Sequence, residues 1–129
     1  MSKNLRGSQQ YSFCIEYVNG GDLFDFINET ENHRVSESQT AIIFSQILDS
    51  LHYLYNYNIA HRDIKLENFI ISKEDSNYKV KLIDFGFASK TINHPFTMKI
   101  GSLNYLAPEM FTQVSYDFKV DLWAAGIVL

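Results

Sequence analysis

The segment HRDIKLEN, His61 to Asn68, sets the carboxylates of Asp63 and Glu67 among Arg62, Lys65 and the amide of Asn68, directly after the apolar pair Ile59-Ala60. Asp84-Phe85-Gly86 follows 16 residues after Asn68, and Ala107-Pro108-Glu109 comes later still. The amide oxygen of Asn68 and the carboxylate of Asp84 are hard donors of the kind Mg²⁺ prefers, with water and substrate phosphates completing an octahedron. Asp63 leaves the same loop as Asn68 and is placed to orient a hydroxyl. Lys65 adds a compact positive charge suited to a transferring phosphoryl group. Together these are the parts of metal-assisted phosphoryl transfer. Taken singly, Asp, Asn and Lys in a loop are ordinary solvated turn residues, and His61 is an ordinary core histidine. The joint pattern H-R-D-x-K-x-x-N, then D-F-G, then A-P-E is too long to arise by accident.

For Asn68 and Asp84 to meet, a scaffold must bring them to one place. NFIIS (Asn68 to Ser72) and YKVKLIDF (Tyr78 to Phe85) flank the polar KEDSN and alternate Val80 and Leu82 inward against Lys79 and Lys81 outward. A hairpin of these strands closes with Asn68 and Asp84 at the same end. Upstream, Tyr11 to Val18 reads as a buried strand stopped by Gly20-Gly21, and a short helix follows from Asp22 to about Thr30. Ser36 and Gln39 form a capping box, and Ile43, Ile47, Leu48, Leu51, Leu54 and Tyr55 recur at helical spacing, which predicts the main helix over Glu37 to Tyr57. Gly86 to Gly101 is a hydroxyl-bearing loop, a short helix follows Ala107-Pro108-Glu109, and VDLWAAGIVL is apolar and helical. That apolar helix runs to the last residue, and the first strand has no earlier strand to pair with, so the sequence reads as a fragment.

Bulk properties narrow the class without naming a partner. The length of 129 residues suits one domain. A net charge of −4, with 46% hydrophobic and 20% charged residues, lacks the basic excess that points to nucleic acid or an anionic membrane. Cys14 has no partner for an internal disulfide and reads as a small core residue. MSKNLRGSQQ has neither a signal core nor a Met-Gly start, and no run of 18 apolar residues occurs. The expectation is an intracellular, cytoplasmic protein.

From about Tyr11 to Leu129 the motifs resemble the eukaryotic-type protein kinases, serine/threonine class, with the calcium/calmodulin-dependent or AMP-activated kinase-like group as the branch suggested. The resemblance implies an α+β fold: the mainly helical C-terminal lobe of a kinase with a short β-hairpin, and almost none of the N-terminal lobe. The chain would then be a partial kinase domain, with the last N-lobe strand and hinge at about 11–21 and part of the C-lobe at 22–129. Asp63 resembles the residue that accepts or orients the substrate hydroxyl proton, Lys65 its serine/threonine-class companion, and Asn68 and Asp84 the Mg²⁺ ligands. Gly101-Ser102 resembles the glycine and hydroxyl pair whose hydroxyl contacts the catalytic Asp and Lys. Ile15 resembles the gatekeeper, Glu16 to Val18 the backbone that hydrogen-bonds adenine, Asp22 the acid on ribose, and Ile70 the apolar residue beneath the adenine ring. His61 and Phe85 resemble members of the regulatory spine, and Asp121, Trp123 and Gly126 the D-x-W-x-x-G of the helix anchoring the catalytic loop.

Further roles are implied by the same resemblance. Glu67 matches an acidic position that meets basic residues before the target site. Arg62, a guanidinium beside Asp63 that leans toward burial, needs an anionic partner, which a phosphate on the following loop would supply with bidentate geometry. Thr97 is the candidate acceptor, with Thr91 and Ser89 in reserve, although the usual position, three before Gly101, is Met98 here. The implied cofactors are ATP and Mg²⁺, and the implied partners are a protein bearing Ser or Thr and an upstream activating kinase. No nucleic acid or membrane partner is expected. The chain departs from the family pattern in having no G-x-G-x-x-G loop and no lysine in a V-A-I-K context. The rival expectation is a non-catalytic binding or scaffold module.

Overall fold

The computed structural model describes residue 12 and residues 14–74, 77–90 and 95–129. The expectations at Tyr11, Phe13, Thr91 and the turn residues 75–76 lie outside the described residues. The elements are β1 (Gly21–Asp22), α1 (Leu23–Glu29), α2 (Glu37–Asn56), β2 (Ile59–Ala60), β3 (Phe69–Glu74), β4 (Asn77–Leu82), β5 (Ser89–Lys90), α3 (Glu109–Thr112) and α4 (Lys119–Val128). These helices and small antiparallel sheets are compatible with part of a kinase fold.

The capping box starts α2 as the sequence predicts: the Gln39 amide donates to Ser36 Oγ at 3.3 Å, and Gln39 Oε1 accepts from the Ser36 amide at 3.2 Å. These bonds satisfy donors that a helix N-terminus otherwise leaves unpaired. The helix buries Ile43, Ile47 and Leu54 along one stripe. Leu48 and Tyr55 are exposed, contrary to expectation. Each lies one residue past a buried position, about 100° round the helix, and so leaves the core-facing stripe. Tyr55 instead sets its ring edge-on to Phe118, with centroids 4.8 Å apart.

β3 pairs on both edges, giving the antiparallel order β1-β3-β4 with Asp22 opposite Ile70 and Phe69 opposite Leu82. Phe69, Ile71 and Val80 pack on Leu23, Ile43, Ile47, Ile64, Ala124 and Ala125. Fully burying side chains of this size contributes about 1.5–3 kcal/mol each. Lys79 and Lys81 lie on the opposite face, as the alternation predicts, and reach Glu16 at 3.7 and 3.2 Å. Gly20 permits the approach to this sheet, because a Cβ there would stand 2.0 Å from the Ile71 carbonyl oxygen.

The outer edge of β4 is closed by a helix side chain. Gln46 of α2 donates through Nε2 to the Tyr78 carbonyl at 2.9 Å and accepts at Oε1 from the Val80 amide at 3.0 Å. A second core joins β2 to the later segments through Ala60, Phe96, Ala107, Met110, Tyr116 and Val120. β2 pairs with β5, Ala60 opposite Ser89, and Phe96 makes an isolated antiparallel bridge with Tyr116.

The expectation of a buried strand over Tyr11 to Val18 is corrected where it can be seen. Cys14 to Val18 belongs to no strand, Cys14 is exposed, and Ile15 is 84% exposed. The edge of β3 is taken only at Gly21 and Asp22, so the preceding segment has no backbone ladder among the described residues. Ile15 and Tyr17 therefore stand in solvent, Val18 is only partly buried, and Cys14 is not the core residue its neighbours suggested.

Candidate active site

The loop from His61 to Asn68 is held from below by one buried acid of α4. Asp121 accepts the His61 amide at 2.7 Å and the Arg62 amide at 2.8 Å. These bonds hold Arg62 in the left-handed region, at φ 66°. Burial pushes the Asp121 carboxyl above its ordinary range, and the two amides offset part of that rise. His61 is fully buried and donates from Nε2 to the Ile83 carbonyl at 3.0 Å, which leaves Nδ1 to accept the Asp63 amide at 3.4 Å. Its ring stands edge-on to Phe85 at 5.0 Å. The loop from His61 to Asn68 is thereby tied to the end of β4.

Asp63 is buried, with donors on both carboxylate oxygens. Oδ1 accepts the Ser102 amide and the Ser102 hydroxyl, both at 2.8 Å. Oδ2 meets Lys65 Nζ at 3.1 Å and Asn68 Nδ2 at 3.2 Å. Burial opposes ionisation of Asp63, yet the Ser102 hydroxyl, the Lys65 ammonium and the Ser102 amide outweigh it and hold the carboxyl below its ordinary range. The bond to Asp63 raises the Lys65 pKa against a smaller burial effect, and the fields of Glu67 and Asp84 add to the rise. Lys65 also donates to Ser102 Oγ at 3.2 Å, closing a three-residue ring of bonds. Ser102 reaches Asp63 because Gly101, at φ 115°, passes so close to the loop that a Cβ would lie 2.4 Å from the Arg62 carbonyl oxygen.

Asn68 directs its amide nitrogen inward, to the Asp63 carbonyl at 2.7 Å as well as to the carboxylate. That leaves its oxygen as the free acceptor. The Ile83 amide donates to the Asn68 carbonyl at 2.9 Å and continues the hairpin to Asp84, which takes φ 59° and accepts the Gly86 amide at 3.1 Å. Among the described residues no group of three or more His, Cys, Asp or Glu could hold a metal ion. An amide oxygen and one carboxylate still fit Mg²⁺, which keeps several waters and takes substrate phosphates.

The remaining predicted residues divide clearly. Asp22 and Ile70 are register partners across β1 and β3, and Asp22 Oδ1 also caps α1 by accepting the Asp25 amide at 2.8 Å. The Val18 carbonyl accepts the Gly20 amide at 3.0 Å in a turn. Ile15 stands in solvent, and Glu16 directs its side chain to Lys81 and Lys79, whose bonds and charges lower its pKa. Glu67 is exposed in the turn Leu66–Asn68, and Thr97 is exposed on its loop. The Arg62 guanidinium donates from Nε to the Phe87 carbonyl at 2.9 Å and lies 4.9 Å from the centre of the Phe96 ring. Phe96 escapes sequence reasoning, because a lone aromatic in an aperiodic loop carries no pattern. Gln46 escapes it too, since a polar residue inside a helix reads as solvent-facing.

Comparison with known proteins gives this arrangement its class. All of residues 1–129 match the profile described as the protein kinase domain, and the chain belongs to that family. The curated proteins it resembles are serine/threonine-protein kinases. One from Drosophila persimilis is 43% identical over 117 residues, covering 89% of this chain and 15% of its own length. One from Drosophila melanogaster is 41% identical over 117 residues, with the same coverage of 89% and 15%. The mouse kinase DCLK3 (Mus musculus) is 40% identical over 116 residues, covering 89% of this chain and 14% of its own length. The chain therefore spans about 15% of the curated relatives it matches. No helix among the described residues is long and apolar enough to cross a membrane.

Proposed function

We propose that this chain carries the catalytic-loop part of an ATP-dependent kinase that phosphorylates Ser or Thr on proteins, with residues up to 21 corresponding to the family's hinge region, though Cys14 to Val18 forms no strand here, and 22–129 as part of the C-lobe. The observation that carries the reading is the closed set of bonds among Asp63, Lys65, Asn68 and Ser102. A carboxylate offers about four lone-pair sites, and four donors already meet Asp63. A substrate hydroxyl enters by exchange: Lys65 leaves Oδ2 for the transferring phosphoryl group, and the freed oxygen orients the hydroxyl.

Because Asp63 is held below the ordinary carboxylate range, it is a weak proton sink at neutral pH. Its contribution is orientation first and proton acceptance late in the transfer. Lys65 offsets negative charge gathering on the phosphoryl oxygens. Asn68 Oδ1 and the Asp84 carboxylate would hold Mg²⁺, which supplies charge neutralisation and a template for the phosphates. Ile70 and Asp22, paired across the sheet, would lie against adenine and ribose, with Glu16 to Val18 supplying the hinge. Glu67, exposed beside the loop, would favour basic residues ahead of the target.

The test compares Asp63→Asn with Asp84→Asn in the full-length protein, using a Ser/Thr peptide library and labelled ATP. Asp63→Asn should remove most of kcat with the KM for ATP little changed, whereas Asp84→Asn should also weaken Mg-ATP binding. If both variants lost only ATP affinity and kept kcat, the assignment of roles would be wrong. If the wild-type protein bound peptides yet transferred no phosphate, the scaffold reading would replace this one.

A further inference from the structure

Arg62 precedes the candidate catalytic Asp63, where the family resemblance implies a phosphate on the following loop. Its guanidinium has other neighbours: the Phe87 carbonyl at 2.9 Å and the face of Phe96, 4.9 Å from the ring centre. Among the described residues no carboxylate forms an ion pair with it. Phe96 is only 6% exposed, although the flanking Pro95, Thr97 and Met98 are all exposed. It is fixed by backbone bonds in both directions with Tyr116, each 2.9 Å, and its ring lies 5.6 Å from that of Tyr116. The Tyr116 hydroxyl donates in turn to the Met98 carbonyl. Ala60, Ala107, Met110 and Val120 complete the packing, so one ring joins the catalytic loop, the segment leading to Ser102 and α4.

A loop phosphate orders its segment by bringing negative charge to an arginine. The face of a buried aromatic ring is the negative pole of its quadrupole and attracts the same cation with no modification. We propose that Phe96 is an uncharged substitute for the loop phosphate: its ring engages Arg62 and holds the segment 96–102, with Ser102 on Asp63, in an unphosphorylated protein. Phe96 is thus a positioning residue that acts through Arg62 and Ser102. The inference rests on the catalytic reading of Asp63 only for its effect on rate, because the ordering of the segment is separately measurable.

The experiment uses full-length protein treated with phosphatase and verified as unphosphorylated by mass spectrometry. Phe96→Leu keeps an apolar side chain, of somewhat smaller volume, without the π face, Arg62→Gln removes the cation, and the two are combined in a double-mutant cycle. Two quantities are read: kcat with KM for ATP, and the rate of tryptic cleavage after Lys99, whose Nζ is tied to the Phe111 carbonyl at 3.1 Å. The unphosphorylated wild type and Thr97→Val should be equally active. Phe96→Leu should lower kcat on the order of 10-fold at unchanged KM for ATP and speed cleavage by a similar factor. The double variant should be no worse than Arg62→Gln alone. A wild type that stays inactive until Thr97 is phosphorylated would overturn the proposal, as would a Phe96→Leu protein with unchanged kcat and cleavage, or additive effects in the cycle. Absence of phosphotransfer from every form would defeat the catalytic reading, while the cleavage rates would still decide whether Phe96 holds the segment.

Discussion

Substituting Asp121 measures how firmly α4 holds the loop from His61 to Asn68. The carboxylate is 5% exposed and accepts two amides, at 2.7 and 2.8 Å. A hydrogen bond to a charged group contributes about 1.5–3 kcal/mol net. The cost of keeping a carboxylate buried offsets part of this, and the raised pKa is its signature. Arg62 at φ 66° adds about 1 kcal/mol of backbone strain that the bonds must hold. Asp121→Ala loses both bonds and leaves two donors without partners, for a destabilisation of about 3–5 kcal/mol. Asp121→Asn keeps one acceptor but turns an NH₂ toward the other amide, for about 1.5–3 kcal/mol.

The assay is urea unfolding of the full-length protein at neutral and acidic pH, with kcat measured on the same samples. Burial raises the Asp121 pKa in the folded state above that of the unfolded chain. The linked stabilisation is therefore complete below the unfolded pKa and is lost as pH rises through the folded one. The wild type should accordingly gain on D121N as pH falls through the carboxyl range. An Asp121→Asn protein within about 0.5 kcal/mol of wild type, or a gap that narrows with acid, refutes the reasoning.

Three other outcomes are expected. Ser102→Ala removes a donor that holds Asp63 below its ordinary range, so the acid limb of kcat/KM should move to higher pH; an unmoved limb would deny the bond its role. By the same linkage, stability contributed by ionised Asp63 is present above the unfolded carboxyl pKa and lost as pH falls through the folded value, and in S102A that loss should begin at higher pH. Gly101→Ala forces a Cβ to 2.4 Å from the Arg62 carbonyl oxygen at φ 115°, so it should cost about 2–4 kcal/mol and most of the rate; normal unfolding and turnover would contradict this. The purified 129-residue polypeptide, with no glycine loop or V-A-I-K lysine in its sequence, should show no phosphotransfer at the usual rates of about 1–100 per second.

The parts legible in the sequence are those governed by local chemistry or by period. Ser36 and Gln39 announce the start of α2 because both partners of the box lie within one turn. The alternation of Val80 and Leu82 with Lys79 and Lys81 sets the faces of β4, since a half-buried strand has period two. Asp63, Lys65 and Asn68 could be named from motif spacing and Ser102 from the family resemblance, and the structure brings those four together. Strand formation at Cys14 to Val18 could not be judged that way, because aromatic and β-branched composition reports fitness for a sheet and says nothing of an available edge. Leu48 and Tyr55 failed for a geometric reason, being one step off a stripe that composition alone cannot locate. Phe96 required tertiary knowledge: its worth comes from Arg62 and Tyr116, which are distant in the chain and close in the fold.

The bonds from Gln46 to the Tyr78 carbonyl and the Val80 amide give α2 the function of a strand one residue wide. An unpaired edge is an invitation to a second polypeptide, and β4 has β3 on only one side. A primary amide is suited to refuse that invitation, since it presents a donor and an acceptor together; a carboxylate supplies no donor and an aliphatic side chain supplies neither. The sheet therefore has a finite width written into a helix, and at this edge a foreign strand would first have to displace a neighbour that belongs to the same molecule.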